Sequence, residues 1–191
     1  QDDYVKENQL PSSRGNGIWI NHYPKSLETI SAVMYEMTGS IESGKAVTTL
    51  VLISMGLLAF SYLSIFLNKK QSFILSVLLA LNPVVLAQLF NYYVDGLMGM
   101  CFAMEVITLL SISIHKKQDF KIWLYLTAIC SLFVNLKFTG LLYSGLIAAV
   151  FYFYWLFHYR QEKDWKSIIF RATGWFILVF VSAIFIVGSA S

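Results

Sequence analysis

Residues 46–70 read AVTTLVLISMGLLAFSYLSIFLNKK, and this stretch decides the fold. From Ala46 to Leu67 no side chain carries a charge, and then Lys69 and Lys70 follow. A helix of about 20 such residues crosses the roughly 30 Å of bilayer hydrocarbon. A basic pair at its exit marks the side that stays in the cytoplasm. The rest of the chain has the same character: 57% of its residues are hydrophobic and 13% charged, whereas soluble domains average about 25% charged. Mean hydropathy is +0.63. The composition is that of a polytopic membrane protein. The net charge of +3 is not gathered into a basic stripe, so nucleic acid is not an expected partner.

Five further spans follow the first. Ser72–Phe90 is apolar but interrupted at Asn82-Pro83, where proline removes a backbone donor and a kink or break is expected. Gly96–Ile114 carries Glu105 near its centre. Ile122–Leu136 is short, about 22 Å if fully helical. Phe138–His158 is a fifth span, and a sixth runs from near Ile168 to about Gly188. Only Lys137 and its neighbours join the fourth and fifth spans, which must therefore form a tight antiparallel pair. The expected fold is an all-α polytopic transmembrane helix bundle of about six spans, over residues 46–191. Residues 1–45 are expected to form an extracytoplasmic loop containing a short amphipathic helix. In that loop, Pro11 to Gly17 read as turns. Ser26 is positioned to cap a helix from Leu27, with Leu27, Ile30, Met34 and Met37 near one face. Such a helix lies in the membrane interface or on the surface of its own bundle. A chain that opens at Gln1 in a polar segment reads as a piece of a longer protein, with a signal peptide or first membrane helix upstream.

The polar connections are sorted by parity. The loops 68–71, 115–121 and 159–166, with Arg171, hold nine of the fourteen Lys and Arg residues. The opposite set holds five, although it includes the 45-residue lead-in, which instead collects Asp2, Asp3, Glu7, Glu28, Glu36 and Glu42. This bias places the motifs around Asn21-His22-Tyr23-Pro24-Lys25, Asn91-Tyr92-Tyr93-Val94-Asp95 and Asn135-Leu136-Lys137-Phe138-Thr139-Gly140 on the outer face. The site is expected there.

Asp95 stands where the second span returns to the surface. It can cap the third span or serve a ligand, since a carboxylate at this depth must be solvated, paired or used. Tyr92 and Tyr93 fit an interfacial aromatic belt and can also donate hydrogen bonds to a ligand. Lys137, held between two apolar spans, either snorkels or binds a phosphate. Lys25 reads as a solvated charge on its own pattern. Asp2 and Asp3 form an acidic pair able to act as a general base or to order a divalent metal ion. Glu105, about 15 Å deeper than Asp95, must face the bundle; a hydrogen bond to a Ser, Tyr or Asn of a neighbouring span competes with a proton relay. Cys101 and Cys130 lie in apolar stretches, and His22, His115 and His158 are scattered. Neither set has metal-ligand or disulfide spacing, and no metal site is assigned.

Tyr23-Pro24-Lys25, a helix, Tyr35-Glu36-Met37-Thr38-Gly39 and Glu42-Ser43-Gly44-Lys45 ahead of a span resemble the polytopic GT-C glycosyltransferases. The branch is that of the protein mannosyltransferases and aminoarabinose transferases. Leu81-Asn82-Pro83 with Asp95 twelve residues on, and Leu136-Lys137-Phe138-Thr139-Gly140, resemble later segments of the same group. The resemblance implies transfer of a sugar from a polyprenyl-phosphate donor to an acceptor hydroxyl at the outer face of a bacterial inner membrane. It implies that Lys25 and Lys137 hold the donor phosphate, stabilising its developing charge. Asp2 or Asp3 would be the catalytic base, with Tyr23, Tyr92, Tyr93 and Asp95 positioning substrate. Two departures stand out: Ser26 replaces a second proline after Lys25, and the helix that precedes the family's acidic motif is missing from the sequence. A transporter using Glu105 and the broken second span as a midplane site, or a non-catalytic membrane scaffold, are the alternatives.

Overall fold

The computed structural model describes residues 26–89, 91, 93–115, 120–158, 166, 169–170, 172–177 and 181. Among these, every regular element is a helix. The first, α1 (Ser26–Thr38), starts at the residue proposed to cap it. Leu27 is buried, and Ile30 and Met34 pack on the core, but Met37 at the end of the same face is 77% exposed. The helix thus lies on the bundle by its first turns and leaves it at its last. It stops at Gly39, whose φ is +69° and whose N–H donates to the Tyr35 carbonyl at 2.7 Å. That left-handed conformation strains any residue with a Cβ, which is why glycine ends helices this way.

A 3-10 turn over Ile41–Lys45, braced by the Lys45–Glu42 ion pair, runs directly into α2 (Ala46–Leu63). Five residues later α3 (Lys69–Ala80) returns along α2; the Asn68 side chain accepts from the Gln71 N–H at 2.9 Å and starts it. The Asn-Pro interruption is a true break. Leu81 leaves helical geometry, Asn82 is extended, and its side chain accepts from the Val85 N–H at 3.0 Å to start α4 (Pro83–Gln88). Pro83 occupies the first helical position, where its missing N–H is not needed. Three helices complete the sequence of named elements: α5 (Asp95–His115), α6 (Phe120–Val134) and α7 (Phe138–His158). Residues 172–177 are also helical, with Ala172 buried and Trp175 packed on the core. Most of the expected sixth span lies outside the described residues.

Among the described residues, three helices are long and apolar enough to cross a membrane: Ile41–Leu63, Asp95–Ile114 and Phe138–His158. The middle one is the axis of the bundle, contacting α2, α4, α6 and α7. Its apolar window is 56% buried, against 22% for each of the other two. The remaining surface is inverted relative to a water-soluble bundle. Leu142, Leu146, Val150, Phe153 and Phe157 form an exposed apolar stripe along α7, and Leu50, Ile53 and Leu57 form one along α2. Ser72, Ser76, Glu105, Thr108 and Ser144 are buried. Apolar faces of this extent are a liability in water and suit lipid, while small polar side chains between helices allow close approach and internal hydrogen bonds. The hydroxyls of Thr108, Ser111, Ser113 and Thr127 donate to carbonyls four residues back, at 2.7–2.9 Å, and so need no water.

The link between α6 and α7 is three residues long, and its tightness depends on Gly140. A Cβ there would collide with the Phe133 carbonyl oxygen and touch the Phe133 ring. Gly99, in α5, has open space around its would-be Cβ. Gly140→Ala is expected to destabilise the protein by about 1–3 kcal/mol through overpacking against backbone. Gly99→Ala should be neutral or stabilising, by up to about 1 kcal/mol. Thermal unfolding of the two variants in detergent, followed by circular dichroism, checks the contrast; equal stabilities would refute the close contact.

Candidate functional site

Lys137 is the last residue of the α6–α7 link, and Asp95 is the first residue of α5. Their side chains meet: Lys137 Nζ donates to Asp95 Oδ1 at 3.1 Å, across 42 residues of sequence. The pair is partly open, with the lysine side chain 34% and the aspartate side chain 56% exposed. Both ends of this contact are held by their own local structure. The Lys137 carbonyl accepts from the Gly140 N–H at 2.8 Å, and the neighbouring Leu136 and Asn135 are buried. Asn135 Nδ2 donates to the Ser131 carbonyl at 2.8 Å, which ties the link back to α6. On the other side, Gln88 at the end of α4 accepts from the Gly96 N–H at 2.6 Å. A Cβ at Gly96 would press on Gln88 and on the Val85 backbone, so glycine lets α4 abut the start of α5.

The contacts between α5 and α7 climb in parallel. After Asp95–Lys137 comes Thr139 Oγ1 to Met98 Sδ at 3.8 Å, then Ser144 Oγ to Glu105 Oε1 at 3.0 Å, then Trp155 Nε1 to Ser113 Oγ at 2.7 Å. The sequence offset stays near forty throughout, so both helices run the same way and begin at the same end of the bundle. Two helix N-termini therefore flank the lysine. Each presents the positive end of a helix dipole, although the Gly96, Met98 and Gly140 N–H groups are already bonded. Asp95 complements that field and neutralises Lys137. An anion arriving here would meet one ammonium and two helix starts. Among the described residues, no cluster of three or more His, Cys, Asp or Glu could hold a metal ion.

Of the residues singled out from sequence, Asp95 and Lys137 are brought together. Tyr93 is exposed beside them in the chain, 66% accessible, as a ligand-facing or interfacial tyrosine requires. Asp2, Asp3, Tyr23, Lys25 and Tyr92, expected from the sequence as base, positioning and phosphate-binding residues, lie outside the described residues. Gln88 was missed. It ends an apolar run with nothing in the sequence to mark its role, and only the approach of α4 to Gly96 reveals it.

Glu105 is fully buried on α5, and Ser144 of α7 is its partner. It lines a cavity of about 40 Å³ together with Trp123, Ser144, Tyr152, Trp155 and Trp175, among others. Trp123 stacks flat on Trp175, centroids 5.8 Å apart, and meets Trp155 edge-on at 5.9 Å. The broken α3–α4 segment does not line this cavity.

Comparison with known proteins finds no match for this chain: no family model, no curated protein and no solved structure is similar to it.

Proposed function

We propose that this chain is part of a membrane glycosyltransferase that takes a sugar from a polyprenyl-phosphate donor at the outer face of a bacterial inner membrane. In this reading about six spans cross the bilayer, residues 1–45 are extracytoplasmic, and the acceptor is a hydroxyl compound. The observation that carries the proposal is the Asp95–Lys137 contact at the shared N-terminal end of α5 and α7. It unites two motifs assigned to one membrane face by charge sorting alone. It also supplies what a lipid phosphate needs there: a cation at interfacial depth, flanked by helix N-termini. Lys137 holds the donor phosphate and stabilises the charge that develops as the sugar leaves. Asp95 orients the lysine. Tyr23, Tyr92 and Tyr93 position the substrate, Lys25 is a second phosphate ligand, and Asp2 or Asp3 removes the acceptor proton.

Lys137→Ala in the full-length protein is expected to abolish sugar transfer and to weaken binding of a short-chain polyprenyl phosphate about tenfold to a hundredfold, the loss of one charge-assisted hydrogen bond. Expression should persist, because a partly exposed ion pair contributes only about 0–1 kcal/mol. Asp95→Asn should abolish transfer while leaving phosphate affinity equal or higher. Unchanged transfer in both variants would overturn the assignment.

The charge-swapped double variant, Asp95→Lys with Lys137→Asp, separates function from scaffolding. A purely structural pair would recover stability and activity together. With Lys137 as the phosphate holder, transfer should stay lost while thermal unfolding shows stability changed by no more than about 1 kcal/mol.

A further inference from the structure

The interior holds a second polar site, apart from the Asp95–Lys137 pair and independent of the proposed chemistry. Glu105 Oε1 accepts from Ser144 Oγ, but Glu105 Oε2 is buried with no hydrogen-bond partner among the described residues. Trp123 Nε1 is likewise buried and unpartnered. Both residues line the same cavity; Glu105 is 0% and Trp123 4% exposed. An unpaired buried polar atom costs about 1–3 kcal/mol, and here two such atoms belong to residues that line one cavity. The cavity's volume of about 40 Å³ exceeds the roughly 10–15 Å³ that a single water needs. The Cys130 thiol borders it and hydrogen-bonds the Glu105 carboxyl, but a thiol is only a weak donor.

The donor and acceptor inventory selects the ligand class. An indole N–H can only donate, whereas a carboxyl group accepts in either protonation state and its O–H donates when protonated; a hydroxyl partner matches either state. A metal or ammonium ion would satisfy Glu105 and leave Trp123 Nε1 unpaired. An anion would do the reverse and face the carboxylate. A hydroxyl donates one hydrogen bond and accepts others, so it serves both atoms. The remaining walls are chiefly aromatic and aliphatic, including Trp155, Trp175 and Tyr152, and suit a short alkyl group. Trp155 Nε1 is already committed to Ser113; the Tyr152 hydroxyl accepts from Thr173 and keeps its own O–H as a further donor.

We infer that the cavity between α5, α6, α7 and residues 172–177 is a binding site for a small neutral hydroxyl group, held between Glu105 Oε2 and Trp123 Nε1. The hydroxyl comes from water or from a short alcohol. Nuclear magnetic resonance of the full chain in lipid nanodiscs tests this through the indole N–H signals, with Trp123 identified by Trp123→Phe. Direct magnetisation exchange between water and the Trp123 N–H, unaltered by added 1-propanol, identifies water as the occupant. A saturable shift of that signal with 1-propanol identifies an alcohol site. In Glu105→Leu either effect should weaken about tenfold, as expected for the loss of one hydrogen bond. A Trp123 N–H that neither exchanges with water nor responds saturably to 1-propanol in the unaltered protein overturns the inference, whatever the variant does.

Discussion

The Glu105–Ser144 hydrogen bond is the constraint around which the bundle is arranged. A carboxyl group at the middle of a helix surrounded by hydrocarbon is costly unless it faces protein and is hydrogen-bonded. Turning Glu105 inward fixes the rotation of α5 about its own axis. Placing Ser144 opposite it fixes the rotation and height of α7. With those settled, Met98 meets Thr139 one way along the helices and Ser113 meets Trp155 the other. The Asp95–Lys137 contact at the end is then a consequence of register, not of attraction between two exposed charges. An ion pair this open is too weak to align two helices of 21 residues.

The link after α6 has to obey that register. With 15 residues, α6 is about 22 Å long, whereas α5 and α7 are about 31 Å. The chain must therefore reverse within Asn135-Leu136-Lys137 and start α7 immediately. Gly140 permits this by letting α7 touch the Phe133 carbonyl, and the buried Asn135 binds its own helix end. A stiff, short link gives Lys137 a defined place. The same lysine in a long loop would sample many positions, and its meeting with Asp95 would carry no information about a site.

Much of this was legible in the sequence. The apolar run after Lys45 and those containing Glu105 and Tyr143 gave the long helices, because length and lack of charge alone set whether a helix suits a bilayer. Asn82-Pro83 gave the break, since the missing N–H has a local effect that no tertiary context cancels. Charge sorting put Asp95 and Lys137 on one face, but it could not pair them, because parity fixes an end of the bundle and not a neighbour. Ser144 was invisible as the partner of Glu105: the chain offers many hydroxyls at plausible depth, and only packing chooses among them. Trp123 was hidden for a related reason. An aromatic residue in an apolar run reads as core, and its N–H matters only once its surroundings are known to leave that group unpaired.

The weakness of the Asp95–Lys137 pair is what suits it to the proposed chemistry. A salt bridge sealed in the interior would hold its lysine against any competitor, because separating the charges there costs several kcal/mol. At 34% and 56% exposure, solvent already screens the pair, and its net contribution is about 0–1 kcal/mol. A phosphate offers Lys137 a charge-assisted bond worth about 1.5–3 kcal/mol, reinforced by the two helix N-termini beside it. The phosphate can therefore take the lysine from Asp95 without disturbing the helices, whose alignment is set deeper, at Glu105. In the proposed mechanism the aspartate holds the ammonium until a donor binds and is then released at the edge of the site with an acceptor-only side chain, placed to receive a hydrogen bond from a sugar or acceptor hydroxyl. Register deep in the bundle and exchange at its rim would then be two parts of one arrangement: rigidity where Glu105 and Ser144 align the helices, and a replaceable contact where the proposed substrate arrives.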